Sequence, residues 1–450
     1  MPIRRSAFPG KTQQSGDDSM SNKQQTKHSR RQFLQQAAAT GFTASILGNV
    51  GASAASFKPD DDFPPIRQIT HGPKFHWFAY YDKLQFDPTS RFVLSNEVDF
   101  EHRSPRAEDE IRVGLIDTQD NDRWTELGQT KAWCWQQGCM LQWRPGSDRE
   151  VVWNDREGDR FVCRIMDVQT GEMRTIPHPI YTLSPCGKWG VTPDFRRIND
   201  MRPGYGYAGP VDPYADQLDP EESGIHRVDL DSGEATMLIS LADVAAIPFA
   251  KYSLAEAKHY FNHLLISPDG ARVEFLHRWR MEGLRSFGTR MMTIAADGTD
   301  VREIDPSGFT SHFIWRDPDH ILAWSRHESH GDRFYLYEDR EGGSVEPVGP
   351  DVMTRNGHCT YLPGNEWILN DSYPDGDRNQ NPYLYEVATG RVVPLGHFRL
   401  PPEYSGEWRC DLHPRFSPCG KFVTIDSPHK GEGRQVHLID ISEIVEMKSE

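Results

Sequence analysis

Self-similarity constrains this chain more than any other feature of its sequence. Seven segments share one form: an apolar strand, a tight turn built on Pro and often Gly, and a second apolar strand. They run Leu84 to Asn96 around Asp87-Pro88, Leu141 to Asn154 around Pro145-Gly146, Tyr181 to Thr192 around Ser184-Pro185-Cys186-Gly187, and Leu264 to His277 around Pro268-Asp269-Gly270. Phe313 to Ser325 around Asp317-Pro318, Tyr361 to Asn370 around Pro363-Gly364, and Phe416 to Asp426 around Pro418-Cys419-Gly420 complete the set. Proline presets one turn angle and Gly or Asp tolerates the next, so each is a hairpin by its own chemistry. A third strand with its own turn follows most hairpins, as in Ile165-Met166-Asp167 and Leu384-Tyr385-Glu386. Seven hairpins with seven third strands predict an all-β fold, a seven-bladed β-propeller of about four strands per blade, whose ring leaves only short edges. The longest gap between turn prolines, 83 residues from Pro185 to Pro268, marks an insertion within Asn199 to Glu222, expected as a loop over one face. A parallel α/β sheet would need amphipathic helices between strands, and only Ser240 to Tyr260 reads that way.

The N-terminus reads as a targeting signal. Ser29-Arg30-Arg31-Gln32-Phe33-Leu34 precedes a small, apolar run from Ala37 to Val50 and the small-x-small pattern Ala52-Ser53-Ala54. The expectation is a twin-arginine signal peptide at 1–54 and one propeller domain at 55–450, in a periplasmic or secreted protein. Nothing later reaches the roughly 18 apolar residues of a membrane span, so no integral membrane segment is expected. Formal net charge is −16. Residues 1–54 hold seven Lys and Arg against two Asp and Glu, which leaves −21 on the rest, so no nucleic acid partner is expected. Seven cysteines without C-x-x-C spacing support neither a zinc knuckle nor a disulfide framework. Cys186 and Cys419 read as turn residues, and a Cys134–Cys139 disulfide is left open. A monomer is expected.

In a propeller the innermost strand of each blade lines the channel, and its start lies beside the end of the second strand. Chemistry should therefore gather just before the first strand and just after the second. Before first strands stand His76, Gln136 and Gln137, His178, His263, His312, His358 and His413. After second strands stand Glu97, Asp155 and Arg156, Asp194 with Arg196 and Arg197, His277 with Arg278 and Arg280, Arg326 and His327, Asp371, and Asp426 with His429. Singly each histidine reads as a half-buried imidazole bonded to backbone; together, six of them in corresponding places describe an imidazole ring at one channel mouth suited to metal binding or catalysis. Trp77, Trp133, Trp135, Trp279, Trp315 and Trp408 lie close by, either as sugar-stacking faces or as packing.

Phe261-Asn262-His263-Leu264 leading into Pro268-Asp269-Gly270, then Thr310-Ser311-His312-Phe313 and His413-Pro414-Arg415-Phe416-Ser417-Pro418, resembles the oligogalacturonate lyases, seven-bladed propellers related to TolB-like propellers. Arg227-Val228-Asp229-Leu230 with Ser232-Gly233-Glu234 also resembles that family. The resemblance implies metal-assisted β-elimination on an acidic (uronic acid) oligosaccharide. It implies His263 as the base, Arg227 or its rival Arg202 at the substrate carboxylate, and Mn2+ or another divalent cation at His312 and His413. His358 and Asp411 are expected to share that ion. The family's second histidine and upstream glutamine are replaced here by Asp411 and Trp408; Asp411 still offers a ligand oxygen and Trp408 offers none. Substrate contacts are expected from His76, Gln137, His277, Arg278, Arg280, Asp371, Arg415 and His429. A glycoside hydrolase using carboxylates such as Asp155, Asp371 or Asp426, and a non-catalytic TolB-like binding propeller, stand as alternatives.

Overall fold

Each hairpin forms where its turn residues dictate and gains further antiparallel strands to make a four-stranded blade. A computed structural model of the chain describes residues 62–446 except Ala79; the signal expected at 1–54 lies outside the described residues. Blade 1 comprises Phe75–Trp77, Phe92–Val98, Ile111–Asp117 and Arg123–Thr130. The inner strand and its hairpin partner are Gln142–Trp143 and Glu150–Glu157 in blade 2, Thr182–Leu183 and Trp189–Thr192 in blade 3, and Lys258–Ile266 and Arg272–Arg280 in blade 4. They are Phe313–Asp317 and His320–His327 in blade 5, Thr360–Tyr361 and Trp367–Asn370 in blade 6, and Arg415–Phe416 and Phe422–Ser427 in blade 7. Blade 7 takes its outermost strand from the other end of the chain: Ile66–Gln68 pairs with Gln435–Asp440, Ile66 opposite Ile439. This strand joins the two ends of the chain, and the hairpin pattern did not foretell it.

The core lies between blades. Alternate residues of a strand face opposite neighbours, so Ile321 and Ala323 pack against blade 4 while Leu322 and Trp324 pack against blade 6. Every adjacent pair of blades shares such a cluster, including blades 7 and 1 through Leu438, Val436, Phe86 and Val93. The turns also interlock. A Cβ on Gly187, at φ +66°, would stand 2.1 Å from the Pro145 carbonyl oxygen of the preceding blade, so glycine is required there twice over. Cys186 and Cys419 are exposed turn residues, and all seven cysteines are free, Cys134 and Cys139 included.

The insertion carries the helix Phe195–Met201, capped by the Asp194 carboxylate on the Arg196 N–H. Of the helical reading over Ser240 to Tyr260, only Leu241–Ala245 is helix, started by a Ser240–Asp243 capping box; from Lys258 the chain is already in a strand. Among the described residues no helix is long and apolar enough to cross a membrane.

Candidate functional site

Blade 1 departs from the repeat at its inner edge. Pairing stops after Trp77 and resumes at Phe86 opposite Val93, and between them residues 78 and 80–83 reach inner-strand positions of five other blades. The Phe78 N–H is held by both carboxylate oxygens of Asp426 at 3.2 Å, and Arg415 grips Asp426 with two bonds of 3.0 and 2.8 Å. The Tyr81 hydroxyl donates to the Phe313 carbonyl (2.7 Å) and accepts from its N–H (3.0 Å) in blade 5. Lys83 pairs with Asp82 (2.8 Å) and lies over the Tyr181 ring of blade 3. Tyr80 stacks on His263 of blade 4 with centroids 5.0 Å apart, and meets His413 and His358 edge-on at 5.1 and 6.2 Å. The excursion thus fills the axis of the channel and brings a tyrosine among the histidines.

Four of the six aligned histidines converge there. His312 and His358 have ring centroids 4.3 Å apart, as do His358 and His413. His358, Asp411 and His413, all buried, offer ligand atoms within 4.8 Å of one another. The Asp371 carboxylate takes the His358 backbone N–H (2.7 Å) and its Nδ1 (3.0 Å), leaving Nε2 to point elsewhere. Carboxylates that orient an imidazole in this way recur behind metal ligands. Asp411 accepts from Arg409 through Oδ2 (2.7 Å), while its Oδ1 is buried with no partner. A sealed, unpaired carboxylate oxygen beside two imidazoles fits a divalent cation, and the mixed N and O donor set suits manganese or zinc. His312 adjoins this group; its Nδ1 is bonded to Asn356 Oδ1 (2.8 Å).

His263 stands on the other side of Tyr80. Its backbone is at φ +54° and that of His413 at +43°, the left-handed region that non-glycine residues seldom occupy and that clusters at functional sites. Burial, reinforced by Arg202, Lys83 and His358, pushes the His263 imidazole well below the ordinary histidine range, so it is neutral. Burial, with His358 and Arg415 nearby, does the same to His413. Arg202 Nη1 approaches His263 Nε2 at 3.5 Å, and an arginine only donates. Nε2 is therefore the acceptor nitrogen and the ring proton sits on Nδ1, where the Tyr181 hydroxyl (3.4 Å) accepts it, a hydroxyl that also accepts from the Gln137 amide N–H (2.6 Å). Among the described residues Arg202 has no carboxylate partner. Its guanidinium lies 3.7 Å from the Tyr205 ring centroid and shares the Phe287 ring with Arg278, at 4.9 and 4.5 Å. Arg278 is buried with Nε and Nη1 unpaired. Two guanidiniums that share the Phe287 ring and have no carboxylate partner among the described residues, one of them beside a neutral imidazole, make an anion site.

Several expected residues lie elsewhere. Arg227 is on the third strand of blade 3, where it binds the Ala296 carbonyl (2.9 Å) and covers Trp189. His277 faces blade 3, one residue out of phase with Arg278, and joins His259 (2.8 Å) and Arg290 (3.0 Å) in a buried chain. Arg280 holds the Met201 carbonyl at the end of the insertion helix. Arg415 is committed to Asp426 and Gln85. His429 packs on His437 and Ser427. His76 pairs with Glu97 (3.2 Å), because in blade 1 the excursion occupies the channel-facing place. The tryptophans are core: Trp77, Trp133 and Trp135 pack on one another, Trp279 and Trp315 are buried, and Trp408 covers the first group. The carboxylates considered for hydrolysis are engaged, Asp155 by Arg164, Asp371 by His358 and Asp426 by Arg415.

The converging histidines carry a sequence signal that alignment by blade overlooked. His263, His312, His358 and His413 stand five or six residues before the turn prolines Pro268, Pro318, Pro363 and Pro418, whereas His178 stands seven and His76 twelve before theirs. The excess in blade 1 is the excursion that carries Tyr80.

No protein-family model matches the chain, and no curated protein sequence matches it. Solved structures do. The oligogalacturonate lyase from Vibrio parahaemolyticus superposes with a TM-score of 0.60 at 14% identity, covering 86% of this chain and 96% of the lyase. An oligogalacturonate lyase in complex with manganese gives a TM-score of 0.60 at 14% identity over 85% of this chain and 94% of its own. The fold is that of the oligogalacturonate lyases. At this identity the likeness establishes the propeller and its blade order, while the chemistry rests on the site residues themselves.

Proposed function

We propose that the protein is a metal-assisted lyase that cleaves an acidic, uronic acid oligosaccharide by β-elimination, after twin-arginine export to the periplasm or beyond. One observation carries this reading. A neutral, buried imidazole at His263 sits between Arg202, which has no carboxylate partner among the described residues, and Tyr80, whose ring meets His413 and His358 of the ligand group edge-on. Removing a proton α to a carboxylate needs a base that is unprotonated near neutral pH and positive charge where the carboxylate gathers electrons. His263 Nε2 supplies the lone pair, and the Tyr181 hydroxyl, itself held by the Gln137 amide, accepts the Nδ1 proton and orients the ring. Arg202 and Arg278 supply fixed charge for the carboxylate. A divalent cation, when bound at His358, Asp411 and His413 with His312 beside them, supplies further positive charge that withdraws electrons from an acidic substrate. Hydrolysis by paired carboxylates is disfavoured, since Asp155, Asp371 and Asp426 are each tied to a cation or an imidazole. The solved structures of like fold that bear a lyase name, one of them a manganese complex, support the substrate class and the metal.

The test is incubation of purified protein and manganese with oligomers of galacturonate, glucuronate and alginate, monitored by the ultraviolet band of an unsaturated uronate. New reducing ends without that band would replace elimination by hydrolysis, and no cleavage of any of the three would end the enzymatic reading.

A further inference from the structure

β-Elimination needs a proton donor for the departing oxygen as well as a base, and the excursion of blade 1 supplies a candidate. Five tyrosines surround the site. Tyr81 is bonded to the Phe313 backbone (2.7 Å), Tyr181 to Gln137 (2.6 Å), Tyr205 to Arg409 (2.8 Å) and Tyr373 to His312 (3.5 Å). The Tyr80 hydroxyl makes no hydrogen bond to any described residue and is not among the polar atoms sealed from solvent. Its ring is nonetheless fixed, stacked on His263, in edge contact with His413, and set on a segment anchored by Asp426 at one side and Phe313 at the other. A rigid phenol wedged between the base and the ligand group, with no acceptor among the described residues, has a proton to give to a bound substrate.

We propose that Tyr80 is the catalytic acid, donating its hydroxyl proton to the leaving glycosidic oxygen; this rests on the lyase reading above. His263 Nε2 takes the proton on C5, the C5–H electron pair becomes the C4–C5 double bond, and the C4–O bond breaks as Tyr80 protonates the oxygen. The phenolate then regains a proton from the His263 imidazolium through water, so the net transfer is from C5 to the leaving group and no redox partner is needed.

The experiment compares Tyr80→Phe and His263→Asn with the wild type on two substrates: an oligouronide, and a uronide whose C4 leaving group is para-nitrophenoxide, which departs without protonation. Tyr80→Phe should slow elimination from the oligouronide by about 100-fold yet stay within about threefold of wild type on the aryl ether, while His263→Asn slows both. Melting temperature and manganese binding by calorimetry should match wild type for Tyr80→Phe. Equal loss on both substrates would mean that Tyr80 only packs against His263 and would overturn the assignment, as would no loss on either. A wild type that eliminates from neither substrate sinks the lyase reading itself and the assignment with it.

Discussion

Replacing His263 separates chemistry from architecture, provided the substitute is chosen for its backbone. At φ +54° an alanine pays about 1–2 kcal/mol for its Cβ, whereas asparagine enters the left-handed region readily. His263→Asn then loses mainly the stacking on Tyr80, about 0.5–1.5 kcal/mol, and the contact with Gln137. For a chain of this length that lowers the melting temperature by about 1–2 °C, and the protein stays folded at assay temperature. Loss of the imidazole that Arg202 approaches should by contrast cut kcat by about 100-fold or more, with KM within about threefold, because the base acts on the C5 proton and contributes little to holding the sugar. His263→Ala should show the same rate loss with a larger drop in melting temperature. Initial rates normalised to folded protein, taken from circular dichroism melts, decide the matter. An Asn variant that keeps more than about a tenth of wild-type kcat would refute the assignment of His263 as base, and so would rate losses in Ala and Asn that scale with their melting temperatures.

Arg202→Gln removes the charge beside His263 while keeping a polar side chain, and should lower kcat/KM on an acidic oligosaccharide by about 10–100-fold but leave a methyl-esterified one nearly unaffected. Equal loss on both would assign Arg202 to holding the imidazole alone. Asp411→Asn should weaken manganese binding by about 100-fold or more in calorimetry; unchanged affinity would remove Asp411 from the ligand set. Stability should fall below pH 6.5. Burial lowers His259 to about 4 and His437 to about 3, and holds His277 well below the ordinary range, so the unfolded chain takes up protons first as pH drops. The contribution of all three is present above about pH 6.5, and that of His259 and His437 falls by about 2 kcal/mol each by pH 5. A denaturant midpoint that is flat between pH 7 and 5 would contradict the buried, neutral state of these rings.

Much of the fold was legible because a propeller is written in local chemistry. Pro and Gly at each hairpin set the turn, and period-two alternation sets which face of a strand meets which neighbour. The candidate metal ligands were legible for the same reason, since a residue just before an inner strand is carried to the channel wherever the blade repeat holds. The repeat could not say which aligned histidines turn inward. His76 has the right place in its blade, but the excursion bonded to Asp426 and Phe313 takes the channel from it, and those partners are 348 and 232 residues away in sequence. Side-chain phase decided others: His277 and Arg278 are adjacent in sequence yet face opposite blades, so one joins a buried histidine chain and the other meets Phe287. By itself the sequence determined the architecture and the blade positions of the aligned histidines, because turns and strands are short-range. Only tertiary structure placed Tyr80 against His263 and chose Arg202 over Arg227 as the arginine beside it, because Tyr80 and Arg202 lie on segments outside the repeat, whose course depends on contacts with distant blades.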